Sequence, residues 1–280
     1  MFTGLSAFPL TPIREEAVDT AALARIVDRL TAAGVDSIGA LGSTGAAPLL
    51  SRTERSTALR TVIEHADATP VMAGIGGLRT RDVLTYAEDA QTAGVDAVLL
   101  APVAYQPLTE DEVLALFRTV LAGLDVPLVI YDNPRTTQFR FTPELYGRIA
   151  ALGNVTAIKV PGVPEDLAQI RALLPRGVAV GVSGDGSGAA GLAAGCDLWF
   201  SSLAGILPEA MLDIARADDP VAQAARFDPL WELIPRHGGL RVSAVAARLL
   251  GLVEEPCLPA PLREPDDARI ESTLRALGLV

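Results

Sequence analysis

Among 280 residues there is one lysine, Lys159, set against 22 arginines (23 basic residues in all). It lies inside the apolar run Val155-Thr-Ala-Ile-Lys-Val160. A guanidinium stays protonated at any accessible pH, whereas an ammonium taken out of water can shed its proton and become a nucleophilic amine. A lysine pointing inward from an apolar strand is therefore suited to covalent catalysis through a Schiff base. The competing reading is a lysine that survived in an arginine-biased chain and snorkels to the surface from a strand end. With an ordinary lysine pKa near 10.4, well under about 0.1% of the amine is free at neutral pH, so the covalent reading demands burial.

Two other groups could serve such an amine. In Pro127-Leu-Val-Ile-Tyr-Asp-Asn-Pro134, period-two alternation turns Val129 and Tyr131 to one face of a strand and Leu128 and Ile130 to the other. The same parity puts Ala157 and Lys159 on the inner face of 155–160 and turns Asp132 away from the lysine. Adjacent strands lie only about 4.8 Å apart, so an inward phenol could carry protons during imine formation. Taken alone, Tyr131 reads equally well as a tyrosine with its hydroxyl satisfied at a barrel mouth. Gly42-Ser43-Thr44-Gly45 is a tight glycine turn with paired hydroxyls and exposed N–H groups, able to hold a carboxylate and relay a proton. Such clusters also simply make turns.

The elements that must position these groups are marked by a small repeat. Ala33-Gly34-Val35-Asp36, Ala93-Gly94-Val95-Asp96 and Ala194-Gly195-Cys196-Asp197 each precede an apolar run, as a helix end, a glycine cap and a strand start would. The spacing predicts strands near 3–8, 36–41, 70–75, 96–101, 127–132, 155–160, 178–183 and 197–202. Helical patterns fall between them, including 20–33, 53–66, 80–93 and 110–122. Eight short apolar strands alternating with helices predict a parallel (β/α)₈ TIM barrel, with an open doubly wound sheet as the alternative. Beyond about residue 206 only helical patterns continue, at 207–217, 221–234, 240–251 and 266–278. The expected division is a catalytic barrel over 1–218 and a C-terminal helical extension over 219–280.

Composition narrows the function classes. A net charge of −11 with a pI near 4.7 opposes binding to nucleic acid or an anionic membrane. The stretch from Met1 to Leu10 has neither a basic n-region nor a small-residue cleavage site, which predicts a cytoplasmic protein. Cys196 and Cys257 are the two cysteines and His65 and His237 the two histidines, so neither a disulfide framework, a metal site nor a histidine triad is expected. Gly184-Asp-Gly-Ser-Gly-Ala189 fits a dinucleotide-binding G-x-G-x-x-A, but the following strand ends in Phe-Ser-Ser rather than an acidic residue for the ribose. The loops after strands seven and eight also suit phosphate, which keeps an aldolase for a phosphorylated sugar acid open.

These motifs together resemble the dihydrodipicolinate synthase and N-acetylneuraminate lyase family of class I pyruvate-dependent lyases and aldolases. The resemblance spans the chain: GSTG at 42–45, YDNP at 131–134, IKV at 158–160, SGDG at 183–186 and PCLPAPL at 256–262. It implies that Lys159 forms an imine with pyruvate or another 2-keto acid and that Tyr131 is the general acid/base. Thr44 would continue the proton relay, while Ser43, Thr44 and Gly45 hold the keto-acid carboxylate. Tyr105, Arg135, Gly184 and Phe200 would complete the substrate pocket. No metal or organic cofactor is implied, and a homotetramer or homodimer is. Three positions depart from the family: Ala46 replaces a common Glu, Ala104 stands at the synthases' relay tyrosine with Tyr105 one residue on, and Thr136 falls where they carry an Arg, beside Arg135. The departures favour an aldehyde partner of the sugar-acid kind, as in a 2-keto-3-deoxy acid aldolase. The alternatives are 4-hydroxy-tetrahydrodipicolinate synthase acting on pyruvate and aspartate semialdehyde, and a catalytically degenerate keto-acid-binding barrel.

Overall fold

The computed structural model describes residues 2–280, so that Met1, the first residue of the stretch read for a targeting segment, lies outside the described residues. Eight strands form the barrel: β1 Gly4–Ala7, β2 Ser37–Ala40, β3 Val71–Gly74, β4 Ala97–Leu100, β5 Leu128–Tyr131, β6 Val155–Pro161, β7 Ala179–Ser183 and β8 Leu198–Ser201. Each pairs in parallel with its neighbours, and β1 pairs with both β8 and β2, closing the ring. Closure removes the open sheet, and with it the crevice at a reversal of strand order where a dinucleotide would lie. A two-residue hairpin, Ile13–Arg14 with Ala17–Val18, follows β1 and has no counterpart in the sequence reading.

The three Ala-Gly-x-Asp segments have a common construction. Gly34, Gly94 and Gly195 take positive φ of 75°, 90° and 94°, the left-handed turn that ends a helix. The aspartate that follows then locks onto a strand already in place. Asp36 Oδ2 accepts the Leu5 N–H at 2.8 Å, Asp96 Oδ2 the Val71 N–H at 2.8 Å, and Asp197 Oδ2 the Val180 N–H at 2.7 Å. Each aspartate's own N–H donates back to the carbonyl of the same residue. The repeat therefore sets the register of β2 on β1, β4 on β3 and β8 on β7 at the end of the barrel opposite the mouth.

Helices begin where side chains can satisfy their first N–H groups. Ser51 with Glu54 and Thr109 with Glu112 form reciprocal capping boxes at the starts of Arg52–His65 and Glu110–Leu121. The outward faces of the strands and inward faces of the helices make one large core. A second cluster, including Phe2, Phe8, Met72, Leu99, Val129, Leu198 and Phe200, fills the barrel interior. Among the described residues no helix is long and apolar enough to cross a membrane. After Asp219 the predicted helix at 221–234 is replaced by short pieces, Pro220–Ala224, Asp228–Trp231 and Leu233–His237, because Pro229 and Pro235 supply no N–H to a continuous ladder. The longer helices Gly239–Leu249 and Ala268–Ala276 complete the chain.

Because Asp96 makes its strand-locking bonds with no salt-bridge partner among the described residues, it isolates the device. Asp96→Ala is expected to lower stability by about 1–2 kcal/mol, with Asp96→Asn, which keeps an acceptor oxygen, losing less. Urea unfolding of the two variants checks both the size and the order.

Candidate active site

The interior parity places Lys159 on the barrel axis near the carboxyl ends of the strands, where β/α loops gather. Tyr131 and Lys159 are register partners on β5 and β6, so the phenol and the amine stand abreast. Lys159 is 5% exposed. Its Nζ lies 4.2 Å from the centroid of the Tyr131 ring, 3.8 Å from that of Phe8 and 5.2 Å from that of Phe200. Burial lowers the amine to a pKa of about 7, opposed by the field of Asp185. Desolvation disfavours the ammonium, which is the condition the sequence reading required.

The proton-bearing groups meet above the amine. Ser43 Oγ is 3.3 Å from the Tyr131 hydroxyl, and Asn133 Nδ2 donates to that hydroxyl at 2.9 Å and to Ser43 Oγ at 3.2 Å. Burial raises the phenol's pKa, while these hydrogen bonds pull it back. Thr44 Oγ1 donates to Ser202 Oγ at 2.9 Å. Asp132 turns outward, as its parity predicts, and accepts the Tyr146 hydroxyl at 2.7 Å. Asp185 is buried beside the site, its Oδ1 accepting from Ser201 Oγ at 2.6 Å and Leu203 N at 3.2 Å. This aspartate belongs to the G-x-G-x-x-A segment, whose last glycine packs against the Trp199 ring with no room for a Cβ. Gly188 thus serves close packing, while Gly184 takes a positive φ of 97° at the cleft.

The cleft has a volume of about 470 Å³. Lys159, Tyr131, Ser43, Thr44, Arg135, Gly184 and Phe200 all line it, and so bring together most of the site expected from sequence. Gly45 does not: it is buried in the turn, where a Cβ would stand 3.1 Å from the Leu41 backbone. Tyr105 is also elsewhere. It is 84% exposed and lines a separate groove with Leu78, Ala104, Leu108 and Leu116. The i to i+2 bond from Val103 N to Ala101 O bends the segment after β4, and within one chain Tyr105 supplies no hydroxyl to the cleft. Residues not singled out from sequence complete the site. Asn133, Phe8 and Ser202 follow from parity, each two positions beyond an inward residue, whereas Ile234 and Gly238 to Leu240 reach the cleft only through tertiary packing. Among the described residues no group of three or more His, Cys, Asp or Glu side chains converges as metal ligands would.

A closed (β/α)₈ barrel with a desolvated lysine, a register-paired tyrosine and a hydroxyl turn at its mouth defines a lyase of the class I type, which works through a Schiff base. The family model of the dihydrodipicolinate synthetase family matches residues 1–274, and the chain belongs to that family. Among its relatives, a 4-hydroxy-tetrahydrodipicolinate synthase from Acidiphilium cryptum is 30% identical over 100% of both chains. One of the same name from Legionella pneumophila strain Philadelphia 1 is likewise 30% identical over 100% of both. The crystal structure of a dihydrodipicolinate synthase from Agrobacterium tumefaciens C58 superposes with a TM-score of 0.93 at 42% identity, covering 99% of this chain and 98% of the other. The chain is thus an enzyme, a carbon–carbon lyase of this family.

Burying the amine has a stability cost with a defined pH window. The folded-state pKa of about 7 lies below the ordinary 10.5, so between these values the unfolded chain holds a proton that the folded chain does not. Stability therefore rises with pH across that window, and the full penalty is present below pH 7. Lys159→Met is expected to be more stable than the parent by roughly 1–3 kcal/mol at pH 6, with the difference shrinking towards pH 10. Chemical denaturation at both pH values tests this.

Proposed function

We propose that Lys159 is the imine-forming residue and that the enzyme condenses or cleaves a 2-keto acid, with pyruvate the simplest, and an aldehyde of the sugar-acid kind. The observation that carries this reading is the lone lysine, 5% exposed and held near a pKa of 7, abreast of Tyr131. Its neutral amine adds to the keto carbon while the carbonyl oxygen takes a proton through Tyr131. The carbinolamine hydroxyl then leaves as water, giving a protonated iminium. Loss of a proton from the adjacent carbon gives an enamine, which attacks the aldehyde carbonyl; water then releases the product and restores the amine. Tyr131, with Ser43 and Asn133 on its hydroxyl, moves the protons, and the Ser43–Thr44 turn holds the keto-acid carboxylate. The imine itself accepts the electron pair, so this route calls for no cofactor.

For the second substrate, Arg135 supplies a cation at the cleft and Thr136, Ser183, Ser187 and Ser202 supply hydroxyls. An aldehyde carrying hydroxyls and a carboxylate satisfies both. The names of the curated relatives favour a second reading, 4-hydroxy-tetrahydrodipicolinate synthase, in which aspartate semialdehyde is the partner. Thr136 in place of the synthases' Arg and Ala104 in place of their relay tyrosine weigh against it. We also assign the protein to the cytoplasm and to a homo-oligomer, in which the exposed Leu78 and Tyr105, 66% and 84% accessible, would be covered.

Incubation with pyruvate and borohydride followed by intact-mass analysis is expected to give one reduced adduct, absent in Lys159→Arg. No adduct with any 2-keto acid overturns the mechanism. Tyr131→Phe is expected to lower turnover about 10²- to 10⁴-fold while leaving the adduct detectable. Turnover on hydroxylated aldehyde acids against aspartate semialdehyde decides between the two partners.

A further inference from the structure

The environment of the Lys159 amine has a feature that imine chemistry alone does not require. Its Nζ faces three aromatic rings, with Phe8 the nearest at 3.8 Å to the centroid. Phe8 follows β1 with the parity of Ser6, so its side chain enters the barrel, where it is 2% exposed. Space for the ring is made by two glycines. A Cβ on Gly39 would collide with the far edge of the ring, and one on Gly42 would stand 2.8 Å from it. Phe200 holds the ring from the other side, edge to face, with centroids 5.9 Å apart and planes at 71°. The face that Phe8 turns to the amine is therefore fixed by backbone and by a second ring.

Ring faces carry negative charge density and attract a desolvated cation. The proposed reaction passes through such a cation, the protonated iminium on this nitrogen, carried by a side chain only 5% exposed. We propose that Phe8, with Tyr131 and Phe200, forms an aromatic cage that stabilises the cationic iminium on Lys159, and that Phe8 is a catalytic residue in direct contact with the reacting nitrogen. This rests on the assignment of Lys159 as the imine-forming residue. The cage solves a conflict of requirements. The amine must be desolvated to be neutral and nucleophilic, yet its product must be charged, and a ring face favours the charged form without offering a proton acceptor or a nucleophile. The titratable groups that face Lys159 are Asp185 and the Tyr131 hydroxyl. Neither is altered by a change at Phe8.

The test measures the equilibrium between free enzyme and iminium, by borohydride trapping over a range of pyruvate concentrations, in the parent, in Phe8→Leu and in a protein with 3,4,5-trifluorophenylalanine at position 8. Leucine keeps apolar bulk but has no ring face; the fluorinated ring keeps the shape but loses the negative face. Measured at a pH where the free amine is neutral and only the iminium is charged, the cage predicts that both lower the iminium equilibrium constant, by roughly ten-fold or about 1.4 kcal/mol. Both should also move the pH midpoint for trapping downwards, because the ammonium loses the same support. A loss with leucine alone shows that Phe8 is merely packing and overturns the proposal, as does no change in either. Absence of an adduct at Lys159 in the parent is a separate result, which sinks the imine assignment rather than the cage.

Discussion

One amine held out of water sets the terms for the rest of the barrel mouth. A buried ammonium is costly, and the chain accepts that cost at a single position while using arginine for positive charge everywhere else. Arginine could not replace it, since its guanidinium does not lose a proton in a protein. The aromatic rings around Nζ, the glycines that admit Phe8, and the carboxylate of Asp185 held by Ser201 and Leu203 are all answers to the same problem. They shape the field at one nitrogen without filling the space that a substrate needs.

Precision at this nitrogen comes from two rigid devices. Register on β5 and β6 fixes Tyr131 beside Lys159. The turn carrying Ser43 and Thr44 is bounded by two non-glycine residues with positive φ, Leu41 at 55° and Ala46 at 51°. Such conformations cost about a kilocalorie each and persist only where the surroundings over-determine them. Here the buried Arg55 supplies that constraint, its guanidinium reaching the carbonyls of Ala47 at 3.0 Å and Gly74 at 2.6 Å while stacking 4.0 Å above the Tyr86 ring. Ala46 stands where the family commonly has a glutamate. At this turn backbone carbonyls meet the guanidinium, and Asp89 is engaged by Arg52.

The departures from the family pattern sort by distance from the nitrogen. Lys159, Tyr131 and the Ser43–Thr44 turn lie within the motifs that carry the resemblance to the family. The changes at 104 and 136 fall in the loops after β4 and β5; Thr136 lines the cleft, whereas Ala104 lines the separate groove. Loops can vary without disturbing strands whose register is locked at the opposite end by Asp36, Asp96 and Asp197.

The sequence by itself determined the strand count, the inward faces of β5 and β6, the lone lysine and the hydroxyl turn, because period-two alternation and residue chemistry are local properties of the chain. It also held the positions of Asn133 and Phe8, legible by extending the same parity two residues past Tyr131 and Ser6. Only the tertiary structure decided that the sheet closes, since alternating strands and helices are compatible with either an open or a closed ring. It alone showed that Tyr105 lies outside the cleft, because spacing does not fix the direction of a loop. It alone brought Ser202 within a hydrogen bond of Thr44, 158 residues away in the chain, and Gly238 to Leu240 to the cleft, which no local pattern encodes.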